Sequence, residues 1–291
     1  MKVTYYAFLA LEKLIEKVPI GFAKSVARAL SVCYYYAFPR KRNLVKKNMR
    51  RVLGPDARER EVARTARRAA RYYADYWIDF FWVSTLKKED VLRRLTIVDA
   101  EELVETVKGG SGALIVLPHY GSWEAGAFYL TSIGPFAAVA EVLRPKELFE
   151  LFVRLREKVG IKIFPYDHKE ETREKMVEAL KGGQMLALLC DRDLKGTGVE
   201  VEFFGEKTTL PPGPASLALK SGVPIFCVNV RNTEDGWVGR ATEPIFARQD
   251  APREEEIKRI MQEIARRLEE LIRDDPAQWH MFMPSWPSDR K

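Results

Sequence analysis

The chain has 291 residues, 46% of them hydrophobic and 31% charged, with a net charge of +7. This balance excludes a disordered chain and suits one large core with an appended helical piece, since single α/β domains reach about 200 to 250 residues. The charge is concentrated: 13 Lys or Arg stand between Arg40 and Arg71 against Asp56, Glu59 and Glu61, so that stretch is +10 and the remainder −3.

Such a block points to a polyanionic partner, either nucleic-acid phosphates or the anionic face of a membrane; the bland alternative is a solvated helix face. Ahead of it, Phe8, Leu11, Leu14, Ile15 and Val18 share one helical side and Glu12, Lys13, Glu16 and Lys17 the other, which predicts an amphipathic helix over 8–18. A second helix follows Pro19 and ends among Tyr34, Tyr35, Tyr36 and Phe38, directly before Arg40, Lys41 and Arg42. Rings beside cations suit the headgroup level of a bilayer, although each ring could equally pack a core. The longest uncharged run of the N-terminal part, 29–39, is roughly half of the ~20 residues a spanning helix needs. The start of the chain is a poor signal peptide. A peripheral rather than spanning association is therefore expected. A third helix is predicted over 57–83, Arg-rich at first and aromatic from Tyr72 to Trp82.

Beyond residue 84 short apolar runs alternate with amphipathic segments. Strands are predicted at 113–117, 136–140, 162–164, 185–189 and 223–230. Helices are predicted at 147–159 and 170–181, closed by Gly160 and Gly182. Alternation of this kind is the pattern of an α/β fold, here a central mixed β-sheet flanked by helices. The runs 199–204 and 237–241 predict some antiparallel edges, and a strongly amphipathic helix over 254–273 precedes an aromatic tail, 279–286. The organisation expected is one domain over 1–291, with 1–83 an N-terminal part of amphipathic membrane-associating helices and 84–291 the α/β core.

Three histidines can be weighed one by one. His168 lies in a polar segment and reads as a surface residue, and His280, in the aromatic tail, reads as structural. His119 follows the run 113–117 and Pro118, where a buried strand ends and a helix begins, and carboxyl ends of strands are where α/β sheets form ligand crevices. Glu124 is five residues on, about 140° away on a straight helix, so the two converge only if the chain turns between them. Gly121 offers that turn and Ser122 an N-cap. An imidazole held by a carboxylate is what deprotonating an alcohol near neutral pH requires. A His bonded to a loop carbonyl is the plainer alternative. A second polar cluster, Asp191, Arg192 and Asp193, follows the strand 185–189; a loop cap and a surface ion pair are its plain readings. The chain has no Gly-x-Ser-x-Gly elbow, Gly-rich phosphate loop or metal-ligand spacing. Cys33, Cys190 and Cys227 suggest neither a disulfide framework nor a zinc site.

The motifs His119-Tyr-Gly-Ser-Trp-Glu124, Ala140-Glu-Val-Leu-Arg-Pro145 with the helix through Arg156, Cys190-Asp-Arg-Asp-Leu194 running on to Glu206, Pro211-Pro-Gly-Pro-Ala215 and Trp279-His-Met281 resemble the bacterial lipid A biosynthesis acyltransferases. Within that family the chain is most similar to the group that acylates phosphatidylinositol mannosides. The resemblance spans nearly the whole chain and is most specific over 191–215. It implies a peripheral enzyme at the cytoplasmic face of the plasma membrane, with a hydrophobic groove for the acyl chain. It implies acyl transfer from acyl-coenzyme A, as co-substrate, to a hydroxyl of an amphiphilic glycolipid, with no resident cofactor and no metal. It also implies His119 as base, Glu124 within the His-x4-acid motif, and support from Glu141, Arg156 and Asp191, while Arg192 and Asp193 are carried as further substrate-binding candidates. One departure is visible, because the mannoside group often has Glu where this chain has Asp191, one methylene shorter. A lipid A precursor or a lysophospholipid is the alternative acceptor. A nucleic-acid-binding protein is the non-enzyme alternative, and it is set aside because the basic block adjoins amphipathic and aromatic sequence rather than a reading motif.

Overall fold

The structure, a computed structural model, describes residues 2–142, 144–167, 169–193 and 195–289, without the side chains of Lys2 and Val3. His168 therefore lies outside the described residues.

Four helices come first: α1 (Lys2–Ile15), α2 (Ile20–Ala37), α3 (Pro39–Leu53) and α4 (Glu59–Val83). The sequence reading left 39–53 without a helix, yet Pro39 explains the break. Its ring removes the N–H that α2 would need to continue, and its fixed φ suits the first position of a new helix. Helix α3 buries Val45, Met49 and Val52. Its Arg51 is buried too, paired with Asp289 at 2.8 Å and Glu206 at 2.9 Å. Part of the basic block is thus internal structure, and Arg68 likewise pairs with Asp275. Helices α2 and α4 run antiparallel, locked by Lys24 to Asp79 at 2.6 Å and Arg28 to Asp75 at 2.8 Å. Burial pushes the Asp79 carboxyl up to about 6 against the pull of Lys24.

The remainder is α5 (Lys88–Arg93), β1 (Leu95–Val98), α6 (Glu101–Lys108), β2 (Ala113–Leu117), α7 (Trp123–Ile133), β3 (Phe136–Glu141), α8 (Lys146–Glu157), β4 (Lys162–Tyr166), α9 (Glu170–Lys181), β5 (Met185–Leu189), β6 (Val199–Phe203), β7 (Glu206–Leu210), α10 (Gly213–Ser221), β8 (Ile225–Asn232), β9 (Trp237–Ala241) and α11 (Arg253–Arg273). Seven strands form a mostly parallel sheet in the order β1-β9-β8-β2-β5-β3-β4, in which β8 and β9 are the antiparallel pair. The antiparallel edge expected from 199–204 lies elsewhere: β6 pairs with β7 in a separate two-stranded hairpin. The two-residue turn between them, Phe204 and Gly205, has positive φ at both positions, the geometry that matches strand twist.

Strand β2 reads Ala-Leu-Ile-Val-Leu and is buried at every position, as a central parallel strand covered on both faces must be. Leu114 and Val116 pack into one layer with Met176, Leu217, Ile264 and Leu268. Ala113, Ile115 and Leu117 pack into the opposite layer with Leu103, Ala127 and Leu130. The N-terminal helices join through a third cluster, in which Ile15, Ile78, Phe80 and Phe81 meet Leu151 and Leu155 of α8.

Candidate active site

Strands β2 and β5 are parallel neighbours with Leu117 opposite Leu189, and the Cys190 amide donates to the Leu117 carbonyl at 3.1 Å. Two residues past that matched end stand His119 and Asp191, so the register brings them face to face. His119 Nδ1 lies 2.5 Å from Asp191 Oδ1. The other carboxylate oxygen accepts the Trp279 indole N–H at 2.8 Å. Asp191 is fully buried, whereas 29% of the His119 side chain is open. Burial alone would raise the Asp191 pKa, but His119, Arg192 and the Trp279 N–H together hold it well below the usual carboxylate range. An ionised carboxylate only accepts hydrogen bonds, so His119 carries its proton on Nδ1 and leaves Nε2 as the open, basic nitrogen. Burial, with the Arg192 charge nearby, lowers the His119 pKa more than Asp191 raises it, which keeps the ring neutral near pH 7 as a general base requires.

The turn anticipated at Gly121 is real. Its φ is +53°, and a Cβ there would lie 1.9 Å from the Val230 carbonyl oxygen, so no other residue fits without moving β8. Ser122 precedes α7 in the N-cap position, though its hydroxyl makes no capping bond.

Glu124 does not converge on His119. It is buried in the first turn of α7 and accepts from Arg156 Nη2 of α8 at 3.2 Å, while among the described residues the carboxylate that bonds His119 is Asp191. The reason is directional: past Gly121 the helix aims its first turn at α8, while the His119 ring faces the end of β5. Burial raises the Glu124 pKa, with Arg156 opposing. The Arg156 guanidinium lies 4.9 Å from the Trp123 ring and 5.2 Å from that of Phe80, so this expected substrate contact is committed to holding Glu124. Asp193 is likewise occupied. It accepts from the amides of Lys195, Gly196 and Gly198 and from Thr209 Oγ1, which shapes the entry to the β6–β7 hairpin, the loop-cap alternative. Glu141 stands exposed at the carboxyl end of β3, beside β5 on the same edge as His119. Arg192 Nη2 donates to the His280 carbonyl, and its buried Nε has no hydrogen-bond partner among the described residues.

The segment 278–280, noted in the sequence for its Trp279-His-Met281 motif and given no catalytic role, bonds to the His119 loop. Tyr120 and Trp279 form an antiparallel bridge, the Gly121 amide donates to the Gln278 carbonyl at 3.0 Å, and the His280 amide donates to the His119 carbonyl at 2.8 Å. His280 is structural, as expected: its buried Nε2 donates to the Gly121 carbonyl at 3.0 Å, and burial depresses its pKa to about 3. Cys190 is buried, with its thiol pKa pushed up by burial, which makes it a poor nucleophile. Among the described residues no group of three His, Cys, Asp or Glu could hold a metal ion.

The family profile described as bacterial lipid A biosynthesis acyltransferase matches residues 1–288. The chain belongs to that family. It is thus an acyl-transferring enzyme, and curated relatives narrow the likeness. It is similar to a phosphatidylinositol mannoside acyltransferase of Mycolicibacterium smegmatis, 32% identical over 291 residues, which cover 99% of this chain and 93% of that protein. A phosphatidylinositol mannoside acyltransferase of Mycobacterium tuberculosis is 33% identical over 250 residues, covering 84% of this chain and 77% of the relative. Among solved structures, the 1-acyl-sn-glycerophosphate acyltransferase of Thermotoga maritima matches 85% of this chain and 97% of its own at 16% identity, with a TM-score of 0.38.

Proposed function

We propose that the enzyme transfers a fatty acyl group from acyl-coenzyme A to a mannose hydroxyl of a phosphatidylinositol mannoside. The observation that carries the chemistry is the buried Asp191 carboxylate 2.5 Å from His119 Nδ1, with the far side of the ring open. His119 Nε2 takes the hydroxyl proton as the acceptor oxygen attacks the thioester carbonyl. The tetrahedral intermediate collapses, the C–S bond breaks, and the imidazolium returns its proton to the departing thiolate. Asp191 fixes the ring tautomer and stabilises the imidazolium between those steps. Glu124 and Arg156 brace the start of α7 beside the loop, and Glu141 and Arg192, past the carboxyl ends of β3 and β5, are the substrate contacts in this reading. The choice of acceptor rests on the names of the curated relatives.

The enzyme acts, in this reading, as a peripheral protein at the cytoplasmic face of the plasma membrane. No helix among the described residues is long and apolar enough to cross a membrane. Helix α2 instead exposes Phe22, Val26, Leu30 and Tyr34, four residues apart and so along one side, and Phe38 continues the line. Large apolar side chains left in water in a row suit insertion at the acyl boundary. At the end of the row lies a cleft of about 860 Å³ lined by Tyr35, Tyr36, Arg42, Lys46, Arg64 and Arg67, where each cation gains roughly 1 kcal/mol near an anionic surface.

The test is a side-by-side acceptor assay with palmitoyl-coenzyme A as donor, products identified by mass spectrometry. The reading expects a single mannose ester on the phosphatidylinositol mannoside and slow acylation of lysophosphatidic acid. Faster acylation of lysophosphatidic acid would overturn the acceptor assignment.

A further inference from the structure

We propose that Trp279 is a positioning residue of this site: its indole N–H, held from behind by the carboxyl-terminal segment, fixes the carboxylate that fixes His119. The inference rests on the reading of His119 as base and Asp191 as its orienting partner. A carboxylate with one bonded oxygen can still rotate about its Cβ–Cγ bond, and the bond it makes to an imidazole then varies in length and angle. Asp191 has no such freedom, because His119 claims one oxygen at 2.5 Å and Trp279 the other at 2.8 Å.

Trp279 is itself immobile. It is completely buried, with ring centroids 5.5 Å from Phe204, 6.0 Å from Phe203 and 6.2 Å from Trp286. Hydrophobic packing alone would be met by a phenylalanine, whereas a buried indole N–H needs an acceptor, and here the acceptor is the dyad carboxylate. The backbone around Trp279 also references the other member of the pair, through the His280 amide on the His119 carbonyl and the Gly121 amide on the Gln278 carbonyl. Gln278 is in turn tied to β8, accepting from the Asn232 amide at 2.7 Å and donating to its carbonyl at 3.0 Å. One short segment therefore sets the His119 backbone and the Asp191 side chain against the same frame, the arrangement that keeps a catalytic pair in register.

Removing the N–H has a signed consequence for the pH profile. The bond draws electron density from Asp191, so its loss makes the carboxylate a stronger partner for the imidazolium and raises the His119 pKa. The other groups facing the pair are the Arg192 guanidinium, His280 and Cys190, of which His280 is neutral down to about pH 3 and the Cys190 thiol is pushed up by burial. None of them titrates between pH 5 and 8, so among the groups facing the pair a limb in that window belongs to the dyad; Asp79, raised to about 6, bonds Asn232 rather than either member of it.

The experiment compares Trp279→Phe with wild type, with His119→Ala and Asp191→Asn alongside, in palmitoyl transfer from palmitoyl-coenzyme A across pH 5 to 9. Trp279→Phe is expected to lower kcat about 10- to 100-fold, the scale of a hydrogen bond to a charged group, with KM little changed and the acid limb moved to higher pH. Asp191→Asn is expected to move that limb the other way. A uniform loss with an unmoved limb, or wild-type kcat in Trp279→Phe while His119→Ala is dead, overturns the positioning role alone. Retained activity in His119→Ala overturns the underlying reading and this inference with it. If Trp279→Phe does not fold, the wild-type protein labelled with 15N-tryptophan decides. The Trp279 indole resonance should titrate with the kinetic midpoint and lose that titration in His119→Ala, and a pH-independent resonance overturns the proposal.

Discussion

Replacing Asp191 by Asn perturbs the site with almost no change of volume. The carboxylate accepts from both His119 Nδ1 and Trp279 Nε1. An amide offers one acceptor oxygen and one donor group, so it cannot serve both. Trp279 can only donate, so it takes the oxygen and leaves the amide NH2 facing His119. The imidazole must then accept at Nδ1 and carry its proton on Nε2, the nitrogen that should take the hydroxyl proton. Inverting the tautomer in this way costs about 10⁴-fold in a serine-protease triad, and a loss of about 10² to 10⁴-fold in kcat is expected here with KM little changed. If the amide turns the other way, the indole N–H is orphaned in the core at about 1 to 3 kcal/mol, visible as a lowered Tm. The assay is thiol release from palmitoyl-coenzyme A dependent on added acceptor, with folding checked by near-UV circular dichroism. An Asp191→Asn enzyme within threefold of wild-type kcat and with unchanged Tm would refute the reasoning.

Arg156→Met should be worse than Glu124→Gln, because it strands a buried carboxylate at a cost of roughly 3 to 5 kcal/mol, whereas the neutral amide keeps a partner; thermal melts rank the two. His280→Gln keeps a donor for the Gly121 carbonyl and removes a group whose folded pKa is depressed to about 3. Such a group contributes stability above its unfolded pKa near 6.5 that is lost as pH falls toward 3, so the variant's Tm should fall less between pH 7 and pH 4 than wild type's. Phe22→Glu with Leu30→Glu, on the exposed side of α2, should abolish sedimentation with anionic vesicles while leaving Tm within a few degrees; undiminished binding would place the docking surface elsewhere.

The sheet strands were legible wherever burial is two-sided. The run 113–117 must be a central strand because nothing in it is polar, and the strand bounds and the place of His119 followed from that. The partner of His119 was less accessible. Glu124 is close in sequence, and spacing favours near neighbours, but the contact that forms is set by the parallel register of β2 and β5, a pairing 72 residues apart that no local pattern encodes. Asp191 stood out at the end of the strand 185–189, but its role beside His119 came only through the resemblance. Trp279 was harder still, because what places it is the bonding of the segment 278–280 to the His119 loop, and an aromatic tail reads as packing until its N–H is seen to face a carboxylate. The basic block was legible only in part: as a tally of charges it reads as one surface, yet Arg51 is buried between Asp289 and Glu206. Charge counts do not show which side chains find partners inside.

The central claim is that His119 removes the acceptor proton, and it is tested most directly by single-turnover acyl transfer with His119→Ala. The protein is mixed with equimolar palmitoyl-coenzyme A and saturating phosphatidylinositol mannoside, and the ester is quantified by mass spectrometry. The ring is partly open at the end of β2, so its loss leaves the core intact and the melting curve near wild type. The account predicts a rate about 100- to 10,000-fold below wild type, recovered in part by added imidazole. A folded His119→Ala enzyme that transfers palmitate at the wild-type rate would contradict it.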